Sequence, residues 1–90
     1  VLVATRFRGE AEAERIANGT QFGLVAGVWT RDLGRGLRLA RRIRAGQVFV
    51  NNYGAAGGIE LPFGGVKRSG HGREKGLEAL RGFGALKTIA

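Results

Sequence analysis

Glycine crowds the second half of this chain. Eight glycines fall between Gly54 and Gly76, in a segment that also holds the only proline and the only histidine. Glycine buries no side chain and loses the most backbone entropy on folding. This stretch therefore cannot build a core. It can turn sharply and let backbones approach closely. Across the chain, 17 of 90 residues are glycine, against a usual share of roughly 7%. A chain of this length makes one small domain and buries only about 60–65% of its unfolded surface. It is expected to fold poorly alone, as an aggregation-prone or partly disordered molecule.

Outside that stretch the hydrophobic pattern is regular. VLVATRF, residues 1–7, is short, apolar and β-prone and predicts a strand. GEAEAERIAN predicts a helix whose first turn gathers Glu10, Glu12 and Glu14, where the helix dipole favours negative charge. Asn18-Gly19 ends it. FGLVAGVW predicts one strand over 22–29. RDLGRGLRLARRIRAG is the clearest helix, with Asp32 as N-cap and Gly46 as stop. Its apolar face gathers Leu33, Leu37, Leu39, Ala40 and Ile43, and Arg31, Arg35, Arg38, Arg41 and Arg42 gather opposite. QVFVNN is a third strand. A structureless stretch from Tyr53 to about Gly72 follows, then a helix over REKGLEALRG and a last strand over ALKTIA. Strands alternating with helices indicate an α/β fold with a mostly parallel sheet. An unstructured loop of about 20 residues is unusual in a small domain and generally functional.

The chemistry within the chain is sparse. The net charge is +8, which fits either an anionic partner or a solvated basic face. The absence of cysteine removes disulfides, thiolate metal sites and a cysteine nucleophile from these residues. One histidine gives no metal-ligand spacing, so no metal site is expected. No apolar run approaches the ~20 residues of a membrane span. The start at Val1 rather than Met reads as processed or cut. GHGREKG runs into a predicted helix like an anion-binding turn. It does not follow a strand as a dinucleotide fingerprint does, and no Gly-Lys-Ser/Thr of a phosphate loop occurs. No aromatic is interleaved with the arginines, as base-stacking surfaces need. His71 has no nucleophile motif beside it, since Ser69 lacks the Gly-x-Ser-x-Gly elbow.

Four stretches, EAERIANGTQFGLVAGVWTRD, AGQVFVNNYG, LPFGGVKRSGHGREKGLEAL and LKTIA, stand in an order and spacing that resembles the C-terminal part of the NAD(P)-dependent aldehyde dehydrogenase superfamily. The resemblance covers essentially all 90 residues. It implies that residues 1–90 are the C-terminal part of an α/β catalytic domain with mostly parallel strands, packed helices, a long Gly-rich loop and a terminal oligomerisation strand over 84–90. Family members are several times longer. In them a cysteine attacks the aldehyde, hydride passes to NAD or NADP, and a glutamate-activated water releases the acid. The resemblance places those catalytic groups and the cofactor site before Val1, so no catalytic or cofactor-binding residue is expected in this chain.

The residues that the resemblance does assign here are few. The loop from Asn52 to Leu61 lines the mouth of the substrate tunnel, and Phe63 is its pocket aromatic, with Ile59 and Leu61 as apolar wall. On the residues alone, the favoured reading is that Phe63 only packs the loop onto the sheet. Asn51 is a structural hydrogen-bonding residue near the site. Arg73 ties the last helix to the core or to a partner subunit; the acidic residue that precedes L-K-T in some members is Ala85 here. Leu86, Lys87 and Thr88 belong to a strand that joins a neighbouring subunit's sheet. The implied protein is a cytoplasmic homo-oligomer, dimer or tetramer, acting on an aldehyde, with no nucleic acid and no membrane. YGAAGGIE varies across the family and sets the substrate. The alternative readings are a free-standing basic binding module, for nucleic acid or a protein, and a truncation that docks on a full-length relative through ALKTIA.

Overall fold

The computed structural model of the chain describes residues 1–54 and 58–90. Its described elements are α1 (Gly9–Asn18), β1 (Phe22–Gly23), β2 (Val25–Val28), α2 (Leu33–Arg42), β3 (Gln47–Val50), β4 (Val66–Lys67) and α3 (Gly76–Gly82). The architecture is α/β, with three helices and short strands.

Local signals set the helix ends. At the start of α1 the Arg8 N–H donates to the Glu12 carboxylate at 2.7 Å, and Glu10 and Glu12 occupy the first turn. The helix ends at Asn18, where the Asn-Gly pair predicts. Asp32 caps α2 as expected, its carboxylate accepting from the Arg35 N–H at 3.0 Å. The stop expected at Gly46 comes earlier, at Arg42. Asn18 is the reason. Its amide donates to the Arg42 carbonyl at 3.0 Å and accepts from the Arg44 N–H at 2.7 Å. Those are groups that another turn of α2 would have used, so the last residue of α1 terminates α2. The end of α1 is secured in turn by Lys67, whose Nζ donates to the carbonyls of Asn18 and Thr20 at 3.2 and 3.1 Å.

The stretch predicted as a single strand over 22–29 divides at Leu24. β1 pairs antiparallel with β4, Phe22 opposite Lys67. β2 pairs parallel with β3, from Val25 opposite Gln47 to Val28 opposite Val50. Among the described residues, parallel pairing is thus confined to one of two two-stranded sheets, not spread through a mostly parallel one. Gly23 makes the junction possible, because a β-carbon there would lie 2.7 Å from the Arg44 carbonyl oxygen and 2.8 Å from Val66. The Gly23 N–H donates to the Ser69 hydroxyl at 3.0 Å. α2 lies on β3 through Gly36, where a β-carbon would meet Val50 at 2.8 Å. Gly36 and Leu39 are its buried residues, while Leu33 and Leu37, expected on the apolar face, are exposed.

Two further expectations are corrected. Residues 1–7, expected as a strand, form no ladder, and residues 84–90, whose expected partner is a neighbouring subunit, form none within the single chain. A strand is defined by a neighbour's hydrogen bonds, and no neighbour reaches either segment. The last helix begins at Gly76 rather than Arg73, because Glu74 is held in a bridge to Phe63. With β4, that bridge also interrupts the stretch expected to be structureless.

Ion pairs join the two long helices. Glu10 of α1 accepts from Arg38 at 2.7 and 3.1 Å and from Arg35 at 3.1 Å, and Glu14 faces Arg42 at 3.5 Å. Hydrogen bonding to Arg38 above all, with Arg35 adding to it and desolvation opposing, lowers the Glu10 pKa from 4.5 to about 2. These groups are partly open to water, so salt screens them.

Apolar burial is slight. Among the described residues, Val28 and Leu39 are the buried apolar side chains, each 8% exposed. The surface is 7547 Å², against about 5,100 Å² for a free-standing globular protein of this mass. The radius of gyration is 15.9 Å, against about 12 Å for a compact chain of this length.

The chain on its own is expected to melt without a sharp transition and to bind a hydrophobic dye. A cooperative thermal curve by circular dichroism, without dye binding, would contradict this. In a folded polypeptide carrying these residues, the depressed Glu10 pKa has a definite sign. The helix–helix contribution is complete above pH 4.5 and is lost as pH falls through about 2. A carboxyl NMR titration of Glu10 with its midpoint at the ordinary 4.5 would count against the triad.

Candidate functional site

The β3 run alternates its side chains. Val50 meets α2, whereas Gln47 and Phe49 point to the opposite face, beside Val25 of the paired strand. Past β3 the chain turns at Asn51, which takes φ +53. Its N–H donates to the Val28 carbonyl at 2.9 Å. Its side-chain amide accepts from the Thr30 N–H at 2.8 Å and donates to the Thr30 carbonyl at 2.9 Å. The side chain thus continues the ladder where the backbone leaves it. The turn brings the Tyr53 ring edge-on to Phe49, with centroids 5.7 Å apart.

The opposite wall comes from the P-F-G-G segment. The Phe63 N–H donates to the Glu74 carbonyl at 2.7 Å, and the Glu74 N–H donates back to Phe63 at 2.6 Å. Gln47 donates to the Pro62 carbonyl at 2.7 Å, and the Gly76 N–H donates to the Ile59 carbonyl at 2.6 Å. Gly76 is at φ +61, and a β-carbon there would lie 2.9 Å from the Glu60 carbonyl oxygen. Only glycine fits this crossing. Between the walls lies a cavity of about 180 Å³, lined chiefly by Val25, Phe49, Tyr53, Leu61 and Phe63, with Gln47 and Lys75 as polar members.

The structure brings Leu61 and Phe63 together at this cavity. Ile59 lies outside the lining and is 84% exposed. The segment YGAAGGIE, expected to set the substrate, is placed only in part, since residues 55–57 lie outside the described residues. Val25, Gln47, Phe49, Tyr53 and Lys75 were not anticipated. The period-two alternation of QVFVN would have found Gln47 and Phe49.

Arg73 is occupied within the chain. Its Nη1 donates to the carbonyls of Gly65 at 2.7 Å, Gly72 at 2.8 Å and His71 at 3.3 Å. Within the chain, the carbonyls of its own turn hold this guanidinium where position 85 offers only Ala85. Leu86, Lys87 and Thr88 are exposed. Ser69 is engaged by Gly23.

The glycine-rich turn does not fit a dinucleotide phosphate. The N–H groups of Ser69, Gly70, Glu74 and Gly76 all donate to backbone carbonyls, those of Val66, Lys67, Phe63 and Ile59, and α3 after them is only seven residues long. Among the described residues no cluster of three or more metal-ligating side chains occurs, and no helix is long and apolar enough to cross a membrane. Arg35, Arg38 and Arg42 of the basic stripe face Glu10 and Glu14, so much of that stripe joins helices.

Comparison with known proteins bears on what such a half-walled groove belongs to. The model of the aldehyde dehydrogenase family matches residues 1–89. The chain belongs to the aldehyde dehydrogenase family. It is 57% identical over 89 residues to the NADP/NAD-dependent aldehyde dehydrogenase PuuC of Escherichia coli (strain K12), covering 99% of this chain and 18% of that protein. It is 46% identical to the human 4-trimethylaminobutyraldehyde dehydrogenase, again over 99% of this chain and 18% of the relative. A crystallised aldehyde dehydrogenase homologue from Burkholderia cenocepacia superposes with a TM-score of 0.85 at 74% identity, over 93% of this chain and 18% of that one. The chain therefore spans under a fifth of the length of these relatives, and it contains no cysteine.

Asn51 can be tested in a chimera that carries these 90 residues in place of the matching segment of the E. coli relative. Asn51→Gly removes two side-chain hydrogen bonds and is expected to cost about 1–2 kcal/mol. Asn51→Ala should cost about 1 kcal/mol more, since φ +53 suits glycine and strains alanine. Urea unfolding measures both, and two near-zero costs would remove the clasp.

Proposed function

We propose that this chain acts as part of an NAD(P)-dependent aldehyde dehydrogenase, where it supplies one wall of an apolar passage for the aldehyde and carries no chemistry by itself. The observation that carries the reading is the groove in which Leu61 and Phe63 meet Phe49 and Tyr53. Its volume of about 180 Å³ falls short of the roughly 300–1,000 Å³ of a complete small-molecule site. It is open on one side, as half of a passage would be. Apolar and aromatic walls exclude water from a reacting carbonyl, and the backbone bonds behind Phe63 hold that ring in place. Asn51 sets the turn that carries Tyr53.

In this reading the thiolate nucleophile, the general-base carboxylate and the site for NAD or NADP belong to polypeptide outside these residues. The groups present here bind and orient the apolar part of the aldehyde. Residues 84–90, with Leu86, Lys87 and Thr88, form their strand on the sheet of a neighbouring subunit in a homo-oligomeric, cytoplasmic enzyme. An exposed apolar strand edge calls for such a partner.

The same chimera tests the passage. It is expected to oxidise an aldehyde with NAD or NADP. Phe63→Ala should raise KM for an apolar aldehyde about tenfold or more, with a smaller change in kcat, because an aromatic ring in an apolar site contributes about 1.5–3 kcal/mol. An unchanged KM would remove Phe63 from the passage. Aldehyde-dependent NAD reduction by the 90 residues alone would overturn the placement of the chemistry elsewhere.

A further inference from the structure

Asn18 is followed by Gly19, whereas the other two asparagines of the chain, Asn51 and Asn52, are followed by residues with side chains. An Asn-Gly pair carries a built-in reaction. The backbone nitrogen of the glycine attacks the side-chain carbonyl carbon of the asparagine, because glycine puts no β-carbon in the way and leaves the backbone free to bring the two together. A new C–N bond closes a five-membered succinimide. The bond from Cγ to Nδ2 breaks, and ammonia leaves with the proton of the glycine N–H. Water then opens the ring at either carbonyl, giving aspartate or, with one methylene added to the main chain, isoaspartate. Neither step is an oxidation or a reduction, and water is the one co-reactant.

The fold engages the atoms that this reaction uses. Asn18 is the last residue of α1, and ring closure requires its backbone to leave the helical conformation. The attacking atom is occupied, since the Gly19 N–H donates to the Ile16 carbonyl at 3.1 Å. The attacked amide is held at both ends, Nδ2 on the Arg42 carbonyl at 3.0 Å and Oδ1 on the Arg44 N–H at 2.7 Å. The Asn18 carbonyl accepts from the Lys67 ammonium at 3.2 Å. Asn18 is half-buried and Gly19 is exposed. Hydrogen bonding, rather than exclusion of water, is therefore what restrains the pair.

We infer that Asn18-Gly19 is a deamidation site gated by the fold, closed while Asn18 clasps the end of α2 and open once that clasp is lost. The product keeps it open. A carboxylate at position 18 has no donor for the Arg42 carbonyl, and its charge falls at the C-terminal end of α1, where the helix dipole opposes it. Isoaspartate also lengthens the main chain at the carbonyl that Lys67 holds. A transient parting of the two helices is thereby made permanent, and the aldehyde chemistry of the proposed function plays no part in it.

Peptide mapping of the chimera by mass spectrometry tests the site, in mildly alkaline buffer with and without denaturing urea. The tryptic peptide 16–31 reports Asn18, and the peptide 45–67 carries Asn51 and Asn52 as internal references. In urea, acid is expected at Asn18 well before it appears at Asn51 or Asn52. Without urea, its formation at Asn18 is expected to slow about tenfold or more, the effect of losing two side-chain hydrogen bonds on opening. Lys67→Met removes both bonds from Lys67 to the end of α1. It should speed the reaction without urea and leave the rate in urea as it was. Acid forming no faster at Asn18 than at Asn52 in urea overturns the site. Equal rates with and without urea overturn the gate, and so does a Lys67→Met chimera that reacts no faster than its parent without urea.

Discussion

A four-residue parallel ladder between β2 and β3 carries the weight of this structure. α2 lies on one of its faces through Gly36 and Val50. The aromatic groove opens on the other. Parallel strands are ordinarily covered on both faces. Here one face is covered by a helix and the other only by the edge of a glycine-rich turn. That shortfall, with the exposed ends at Val1–Val3 and Phe83–Ile89, accompanies an excess of roughly 2,400 Å² over the surface of a free-standing protein of this mass. An excess of that size is comparable to an obligate interface, so the exposed leucines and phenylalanines read as contact surface rather than as poor packing.

The basic charge has a similarly structural explanation. A net charge of +8 with arginines in helical register invites a nucleic-acid reading. The geometry turns part of that stripe inward, onto α1. Arg35 and Arg38 converge on one carboxylate, and Arg42 meets a second, one turn further along α1. The pairing is invisible in either helix considered separately, because its members are far apart in sequence. It depends on the two helices lying side by side, which the sequence pattern alone does not specify.

How much was legible depended on how local the cause was. Asn18-Gly19 and Asp32 act within one turn, and both ended or began helices as expected. Leu61 and Phe63 were singled out through a specific motif, and both line the groove with Phe49. Gly46 failed as a stop because Asn18, from another helix, intervened first. Residues 1–7 and 84–90 have the composition of strands but no partner to make them so. The intrachain partners of Arg73 were not legible, because a guanidinium can be satisfied by carbonyls of its own turn, which no pattern of residue types reveals. Lys75 lines the groove at a φ of +61, and nothing in its residue type announces either.

The hydrogen bonds that knit the helix ends also impose an order of events. Asn18 reaches 24 residues ahead to Arg42, Gly23 reaches 46 ahead to Ser69, and Lys67 reaches back 49 to Asn18. Contacts so distant along the chain form slowly, because the intervening loop must close before they yield anything. During synthesis the carbonyls at the end of α1 have only water as partner until residue 67 has emerged and the glycine-rich turn has settled behind it. The first helix of the chain is therefore completed by one of its last loops, and a polypeptide halted before that loop would carry α1 and α2 without the lysine that joins them to the rest.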